Sequence, residues 1–470
     1  MSYLTRLDEL RRAELYKRAH EFAATYDPDL PTIVVIPGGM GSRLQRCTRA
    51  YDPVSSPKIE EFYELWLALG PTLRGELGSL AFNGFTEELD QHPIIAAGEL
   101  TSVVKSYDGI FKFFAGKANV IGMGYDWRRA PDKECGYVRV FLQLVAEQVR
   151  LRNPAWGDPR RNLTLYAHSQ GGLLAKLFVD ALLATHEKPA DWFARLVTCC
   201  TPFYGTYTHS PRYYVGEEMI NLFTGGADQV ARIVATLEGA YILLPAPREV
   251  LMPRLAALGL ARYPLRDFAD DGMECDPFDA AAAIAGRYRP EVPRAHLVSA
   301  KEQFELIDSA LPPEVAQRVY HIRSDVSGAH GGGTNLEVRW KAVDGAAYNA
   351  AQGNPFTDNA ASGGRGDGTV PFWSARLATT PPENVFDVTG VKHGGAAEHE
   401  EMLDILWKLV QGLPVPAGPR HAGSDFAYAA PDRVAAIGAQ LKNSPNPTAD
   451  LDALPPGDYR AFVDSLRLAS

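Results

Sequence analysis

Between the strand-like run Leu163-Thr164-Leu165-Tyr166-Ala167 and an apolar helical stretch from Leu173 to Ala184, the chain places His168-Ser169-Gln170-Gly171-Gly172. No other feature constrains the fold as tightly. A strand that runs directly into a helix must turn sharply; such a turn lifts the serine oxygen clear of the backbone and leaves no room for neighbours larger than alanine. Ala167, Gly171 and Gly172 supply that clearance, so the segment reads as a nucleophile elbow, with Ala where the first Gly of G-x-S-x-G usually stands. The bland alternative is a serine that merely caps a helix.

An elbow of this kind stands on a parallel sheet, and the flanking sequence carries the matching pattern. Thr32-Ile33-Val34-Val35-Ile36 runs into Pro37-Gly38-Gly39-Met40-Gly41-Ser42, and Asn119-Val120-Ile121-Gly122 precedes Tyr125-Asp126-Trp127-Arg128-Arg129. Tyr137 to Arg152 predicts a helix with Val138, Leu142, Val145 and Val149 on one face, and Leu196-Val197-Thr198-Cys199-Cys200 predicts a further strand. Strands alternating with helices of this length indicate βαβ units and an α/β fold.

The regularity fails after Pro202. Residues 205–317 read as a cap inserted between two halves of one sheet, in which the Ala-rich run Phe278 to Ile284 is one helical stretch. Strands resume at Val319-Tyr320-His321-Ile322 and Val385-Phe386-Asp387-Val388, followed by a helix from His399 to Val410. The expected organisation is an N-terminal helix within 1–29, a core of 30–204 and 318–412, the 205–317 cap, and a Pro/Ala/Gly-rich appendage over 413–470 with one helical candidate at Asp432 to Lys442. Leu15, Ala19, Phe22 and Tyr26 fall at helical spacing, which predicts an amphipathic N-terminal helix packed on the domain surface. A helix lying on a membrane is the sharper alternative, and interspersed acidic residues count against it.

Composition narrows the classes. Of 470 residues 46% are hydrophobic and 22% charged, enough for a large core, while no apolar stretch nears the span of a bilayer. Lys and Arg number 47 against 57 Asp and Glu, a net charge of −10, without the basic footprint of a nucleic-acid-binding protein. Cys47, Cys135, Cys199, Cys200 and Cys275 show no CxxC spacing, and the His and Asp residues show no ligand spacing, so neither a metal nor another cofactor is expected. The N-terminal segment is dense in charge and lacks the apolar region of a secretory signal, which leads to the expectation of a cytoplasmic protein.

A serine hydroxyl becomes a useful nucleophile only when a base takes its proton and a carboxylate orients that base. In sheet-borne elbows the partners follow in the order Ser, Asp, His. Arg365-Gly366-Asp367-Gly368-Thr369-Val370-Pro371 puts Asp367 in a glycine-rich turn, with Asp358 as its near rival. His393 directly follows a late strand and His399 opens a helix; spacing alone leaves the choice between them open. The backbone N–H of Gln170 is one expected oxyanion donor, and Gly39, in the turn after the first strand, is the other. The His330-Gly331-Gly332-Gly333 run follows the serine instead of preceding it and reads as a turn.

Five segments in order, Val35-Ile36-Pro37-Gly38-Gly39, Gly124-Tyr125-Asp126-Trp127-Arg128-Arg129-Ala130-Pro131, Ala167-His168-Ser169, Gly366-Asp367-Gly368-Thr369-Val370 and Glu398-His399-Glu400-Glu401-Met402-Leu403, resemble the lecithin:cholesterol acyltransferase family. The Tyr-Asp-Trp-Arg-Arg segment is the most specific, and the likeness covers about residues 32–412. The resemblance implies an α/β-hydrolase fold with an inserted cap and a lid within 45–100. It implies Ser169 as nucleophile, Asp367 as acid and His399 as base, because the family's histidine is followed by Met at the third position, as His399 is by Met402. His393 stays as the alternative base. Asp126, Trp127 and Arg128 are expected to form the wall beside the site. The animal relatives hold their lid with a disulfide; here Cys47 is the only cysteine before Cys135.

The implied activity is a cofactor-free serine acyl-ester hydrolase or O-acyltransferase, of phospholipase or lipase type. Its substrate would be a lipid or other acyl ester, with peripheral membrane contact through the lid and no nucleic-acid partner. An esterase or thioesterase acting on soluble substrates, and a catalytically dead hydrolase scaffold, are the alternatives.

Overall fold

A strand inside a parallel sheet must bury both of its faces. In β1 (Thr32–Ile36) Val34 and Ile36 enter one hydrophobic cluster and Ile33 and Val35 a second, and all four are fully buried. The computed structural model describes residues 3–48, 61–66, 76–82, 92–99, 107–206, 233–257, 263–267, 273–274, 276–279, 294–327, 338–340, 356–357, 365–416, 420–421, 431–455, 458–459 and 462. The strands are β1, β2 (Ser42–Cys47), β3 (Phe62–Trp66), β4 (Ile94–Glu99), β5 (Asn119–Gly122), β6 (Leu163–His168), β7 (Arg195–Cys199), β8 (Leu265–Asp267), β9 (Met273–Glu274), β10 (Val319–Asp325), β11 (Val338–Trp340), β12 (Phe356–Thr357), β13 (Val385–Thr389) and β14 (Arg420–His421).

Seven of them form the main sheet in the order β14-β13-β10-β7-β6-β1-β5, with every neighbouring pair parallel. One face is covered by α1 (Tyr3–Thr25), α3 (Pro131–Arg152) and α4 (Gln170–Ala184); the other is covered by α2 (Asp108–Phe114) and α6 (Glu400–Gln411). A further helix, α5 (Arg294–Asp308), packs against α4. Strand ends therefore match the apolar runs closely, and α3 begins earlier than its apolar periodicity suggests because Pro131 opens it at the first turn with Asp132 and Glu134 beside it. The N-terminal helix places Leu7, Arg11, Leu15, Ala19 and Phe22 against the body of the protein, chiefly along α3.

Some elements had no clear sequence signal. Residues 45–100, expected to hold a lid, contribute β2, β3 and β4 to an antiparallel sheet in the order β3-β2-β4, together with part of the loop structure between them; the rest lies outside the described residues. The excursion over 205–317 leaves from β7 and returns to its direct neighbour β10, where Leu196 pairs with Val319 and Cys199 with Ile322. Within it α5 is a helix for which the sequence gives only weak periodicity, whereas Phe278 lies in a turn, Asp279 follows it outside any helix, and residues 280–284 of the expected helix fall outside the described residues. The tail is not wholly an appendage, since β14 extends the main sheet at the edge of β13 beyond the expected boundary at residue 412. Among the described residues no helix is long and apolar enough to cross a membrane.

Candidate active site

The C-terminal ends of parallel strands are where an α/β sheet gathers functional groups. Ser169 stands between β6 and α4 with φ 51° and ψ −129°, a backbone conformation that non-glycine residues rarely occupy. Its N–H donates to the Cys199 carbonyl at 2.9 Å and its own carbonyl accepts from the Gly172 N–H at 2.9 Å, which pins the turn from both sides. A Cβ on Gly171 would run into the Pro37 carbonyl oxygen, so the helix can approach the end of β1 only with glycine there.

His393 follows β13, and its Nε2 lies 2.9 Å from Ser169 Oγ. On the other side of the ring, Nδ1 lies 2.7 Å from Asp367 Oδ2, and the His393 N–H donates to the Asp367 carbonyl at 3.0 Å. Asp367 sits in a turn that Gly368 closes at φ 92°. Its other carboxylate oxygen accepts from the N–H groups of Thr369 (3.0 Å) and Val370 (2.7 Å). Asp325, at the end of β10, holds that turn in place by accepting from Arg365 at 2.6 Å and from the Gly366 N–H at 3.3 Å. Burial works against the Asp325 charge, but the Arg365 guanidinium and these hydrogen bonds hold its carboxyl below the usual range.

The preference for His399 is therefore corrected. His399 is the N-cap of α6, its Nδ1 accepting from the Glu401 N–H at 3.3 Å, while His393 stands between the serine and the aspartate. The physical reason is reach: a side chain spent on capping a helix faces that helix's first turn, whereas the loop after β13 delivers His393 across the strand ends. Asp358 and the His330 run lie outside the described residues.

The other expected residues gather around this array. Gln170 is the first residue of α4, where a backbone N–H has no partner within the helix, and a Cβ on Gly39 would lie 2.5 Å from Gln170 Oε1. Gln170 Nε2 donates to the Gly239 carbonyl at 2.8 Å, tying the elbow to the short helix Glu238–Tyr241. Asp126 and Arg128 form a bidentate pair at 2.7–2.8 Å, and Arg128 also donates to the Leu80 carbonyl at 3.3 Å. Burial pushes the Asp126 carboxyl up, yet Arg128, with Arg11 and Arg129 beyond it, outweighs burial and keeps it below its ordinary value. Trp127 packs edge-on against Trp66 and donates its indole N–H to the Ser42 carbonyl at 3.3 Å. These three residues brace the β2–β4 sheet and the 76–82 segment against the main body; none is bonded to Ser169.

Sequence reasoning missed Asp325, Tyr107 and Cys200. Asp325 stands three residues beyond the strand expected at Val319–Ile322, because β10 runs on to it, and could have been sought as the partner of Arg365; Tyr107 carried no pattern. Among the described residues one cluster of potential metal ligands, Cys200, Asp367 and His393, brings donor atoms within 4.8 Å of one another. Its carboxylate and imidazole already bond each other. The adjacent Cys199 thiol, burial and the Asp367 charge push the Cys200 thiol well above its usual range, which keeps it protonated.

A parallel sheet with helices on both faces and a Ser-bearing elbow after a central strand is the α/β-hydrolase fold. No protein-family model and no curated protein matches the chain. Among solved structures the chain is similar to one in the crystal structure of the Tle4–Tli4 complex, at 14% identity over 82% of this chain and 99% of that one, with a TM-score of 0.47. It is also similar to Bacillus licheniformis lipase BlEst2 in its mature form, at 12% identity over 82% of this chain and 93% of that one, with a TM-score of 0.30. For the propeptide form of that lipase the figures are 12%, 84%, 53% and 0.26.

Proposed function

We propose that the chain is a serine-dependent lipid acyl-ester hydrolase or O-acyltransferase, related to the lecithin:cholesterol acyltransferase family and most like lysosomal phospholipase A2. The observation that carries the reading is the continuous array from Ser169 Oγ through His393 to Asp367, with both hydrogen bonds below 3 Å. The serine attacks an ester carbonyl while His393 Nε2 takes its proton; Asp367 holds the ring and stabilises the imidazolium that forms. The developing oxyanion lies toward the N–H groups of Gly39 and Gln170. Collapse expels the alcohol, protonated by His393, and leaves an acyl group on Ser169. Water then releases a carboxylic acid, or a second alcohol accepts the acyl group. The lipid reading rests on the Tyr125-Asp126-Trp127-Arg128-Arg129 segment, which generic hydrolase chemistry does not require.

Ser169→Ala is expected to lower turnover of a p-nitrophenyl ester by about 10⁴–10⁶; a variant that turned over as the parent does would end this assignment. Incubation with mixed phospholipid vesicles, with and without an alcohol acceptor, followed by mass spectrometry of the products, separates the lipid-directed activity from an esterase of soluble substrates.

A further inference from the structure

An oxyanion donor on a glycine turn works only if the turn is held still, because preorganisation is the source of its effect. The turn after β1 is closed by the Gly41 N–H donating to the Gly38 carbonyl at 3.0 Å and contains Met40 at φ 59°, a left-handed conformation that side-chain-bearing residues avoid. Something outside the turn must hold it. The Trp66 indole donates to the Met40 carbonyl at 2.7 Å on one side. On the other, the Gly38 N–H donates to the Tyr107 hydroxyl at 2.8 Å.

The Tyr107 hydroxyl is buried and lies 3.1 Å from His168 Nδ1. The hydroxyl accepts from the Gly38 N–H and shares a second hydrogen bond with His168 Nδ1, whose direction follows the tautomer of that ring. The His168 ring packs edge-on against Tyr107, with centroids 6.0 Å apart, and lies tilted against the His393 ring at 5.1 Å. One phenol therefore joins the glycine turn to the elbow, at the residue immediately before Ser169. It also engages the Gly38 N–H, which leaves Gly39 as the next N–H of the turn.

We infer that Tyr107 is a positioning residue: its hydroxyl fixes the Gly38-Gly39 turn against the elbow, so that the Gly39 N–H is in place when the oxyanion forms. This rests on the reading of Ser169 as nucleophile. It assigns Tyr107 no contact with substrate, so its removal should slow the chemical step and spare substrate binding.

The test uses the full chain and Tyr107→Phe, with active sites counted by a fluorophosphonate at Ser169 so that misfolded protein is excluded. The expected result is a fall in kcat per titrated site of about tenfold to a hundredfold, less than the loss of an oxyanion donor itself, with KM for a p-nitrophenyl ester within about twofold of the parent. Affinity for a trifluoromethyl ketone, which mimics the tetrahedral oxyanion, should fall by a factor similar to kcat/KM. A purely structural role would lower the titratable fraction and leave kcat per site unchanged, and that result overturns the inference. Should the Phe variant not fold, 3-fluorotyrosine introduced at position 107 keeps the hydroxyl but weakens it as an acceptor; an intermediate kcat supports the inference and a parental kcat overturns it. If the parent itself does not react at Ser169, the proposed function fails and the inference with it; if the parent reacts and the variants match it, only the inference fails.

Discussion

Ser169 and His393 illustrate how much a single position decides. The strained backbone at Ser169 is imposed by what surrounds it, and Gly171 is part of that frame. Gly171→Ala would drive a methyl into the Pro37 carbonyl, so the variant is expected to lose about 1–3 kcal/mol of stability in urea unfolding and, under the proposed function, most of its turnover of a p-nitrophenyl ester. An unchanged midpoint would show that the turn yields more readily than its packing implies. His399 makes a different prediction. As an N-cap its replacement by Ala should cost about 1 kcal/mol of stability while kcat stays close to parental. Spacing alone does not separate the two histidines, because both lie in the stretch between β13 and the body of the next long helix. The tie was broken by a motif match, with Met402 three positions after His399. Met402 in fact serves the core, fully buried with Leu403 and Leu406 on the inner face of α6. Which of two nearby rings crosses the strand ends depends on loop path, which periodicity does not encode.

Elements are tied together by a few buried polar groups whose partners lie far off in sequence. Arg11 of α1 pairs with Glu134 of α3, both buried, and stacks on the Tyr137 ring. Glu134 also accepts from the Asp126 N–H at 3.1 Å. Arg11→Met would leave the Glu134 carboxylate short of a counter-charge in the interior and is expected to cost about 3 kcal/mol in chemical denaturation. A loss below about 0.5 kcal/mol would mean that Arg129, 3.5 Å from Glu134, suffices alone. In the main sheet, His321 of β10 lies 2.7 Å from the hydroxyls of Thr198 and Thr380, and its Nε2 accepts from the Leu377 N–H at 3.3 Å. Burial, with the charges of Arg323 and Arg376, pushes its pKa from 6.5 to about 3. A histidine held neutral in the fold contributes stability that is complete above pH 6.5, where the unfolded chain is also neutral, and is lost progressively as pH falls toward 3. Thermal melts should therefore decline over that window, and His321→Gln should flatten the decline. Equal slopes in the two proteins would contradict the role given to His321.

At the scale of the molecule, the main sheet was legible because a parallel strand covered on both faces writes itself as a continuous apolar run, as in β1 and β6. The elbow was legible because its clearance demands small residues at fixed offsets from Ser169. The β2–β4 sheet was not, since Ser42-Arg43-Leu44-Gln45-Arg46-Cys47 buries Ser42 but leaves Arg43, Gln45 and Arg46 only partly covered and gives a weak alternation. Nor was β14, a two-residue strand that pairs, among the described residues, with β13. Tyr107 escaped for a similar reason: its partners Gly38 and His168 are brought together by the fold, at separations of 69 and 61 residues. The strand ends of β1, β6, β10 and β13 converge on one place, and the account as a whole depends on the ring that meets Ser169 there. The most direct measurement is the rate constant for fluorophosphonate modification of Ser169, mapped by mass spectrometry, in the parent and in His393→Ala and His399→Ala. Modification on Ser169 that slows by about a thousandfold or more in His393→Ala and stays parental in His399→Ala is the predicted result. Modification elsewhere, or slowing confined to His399→Ala, would contradict it.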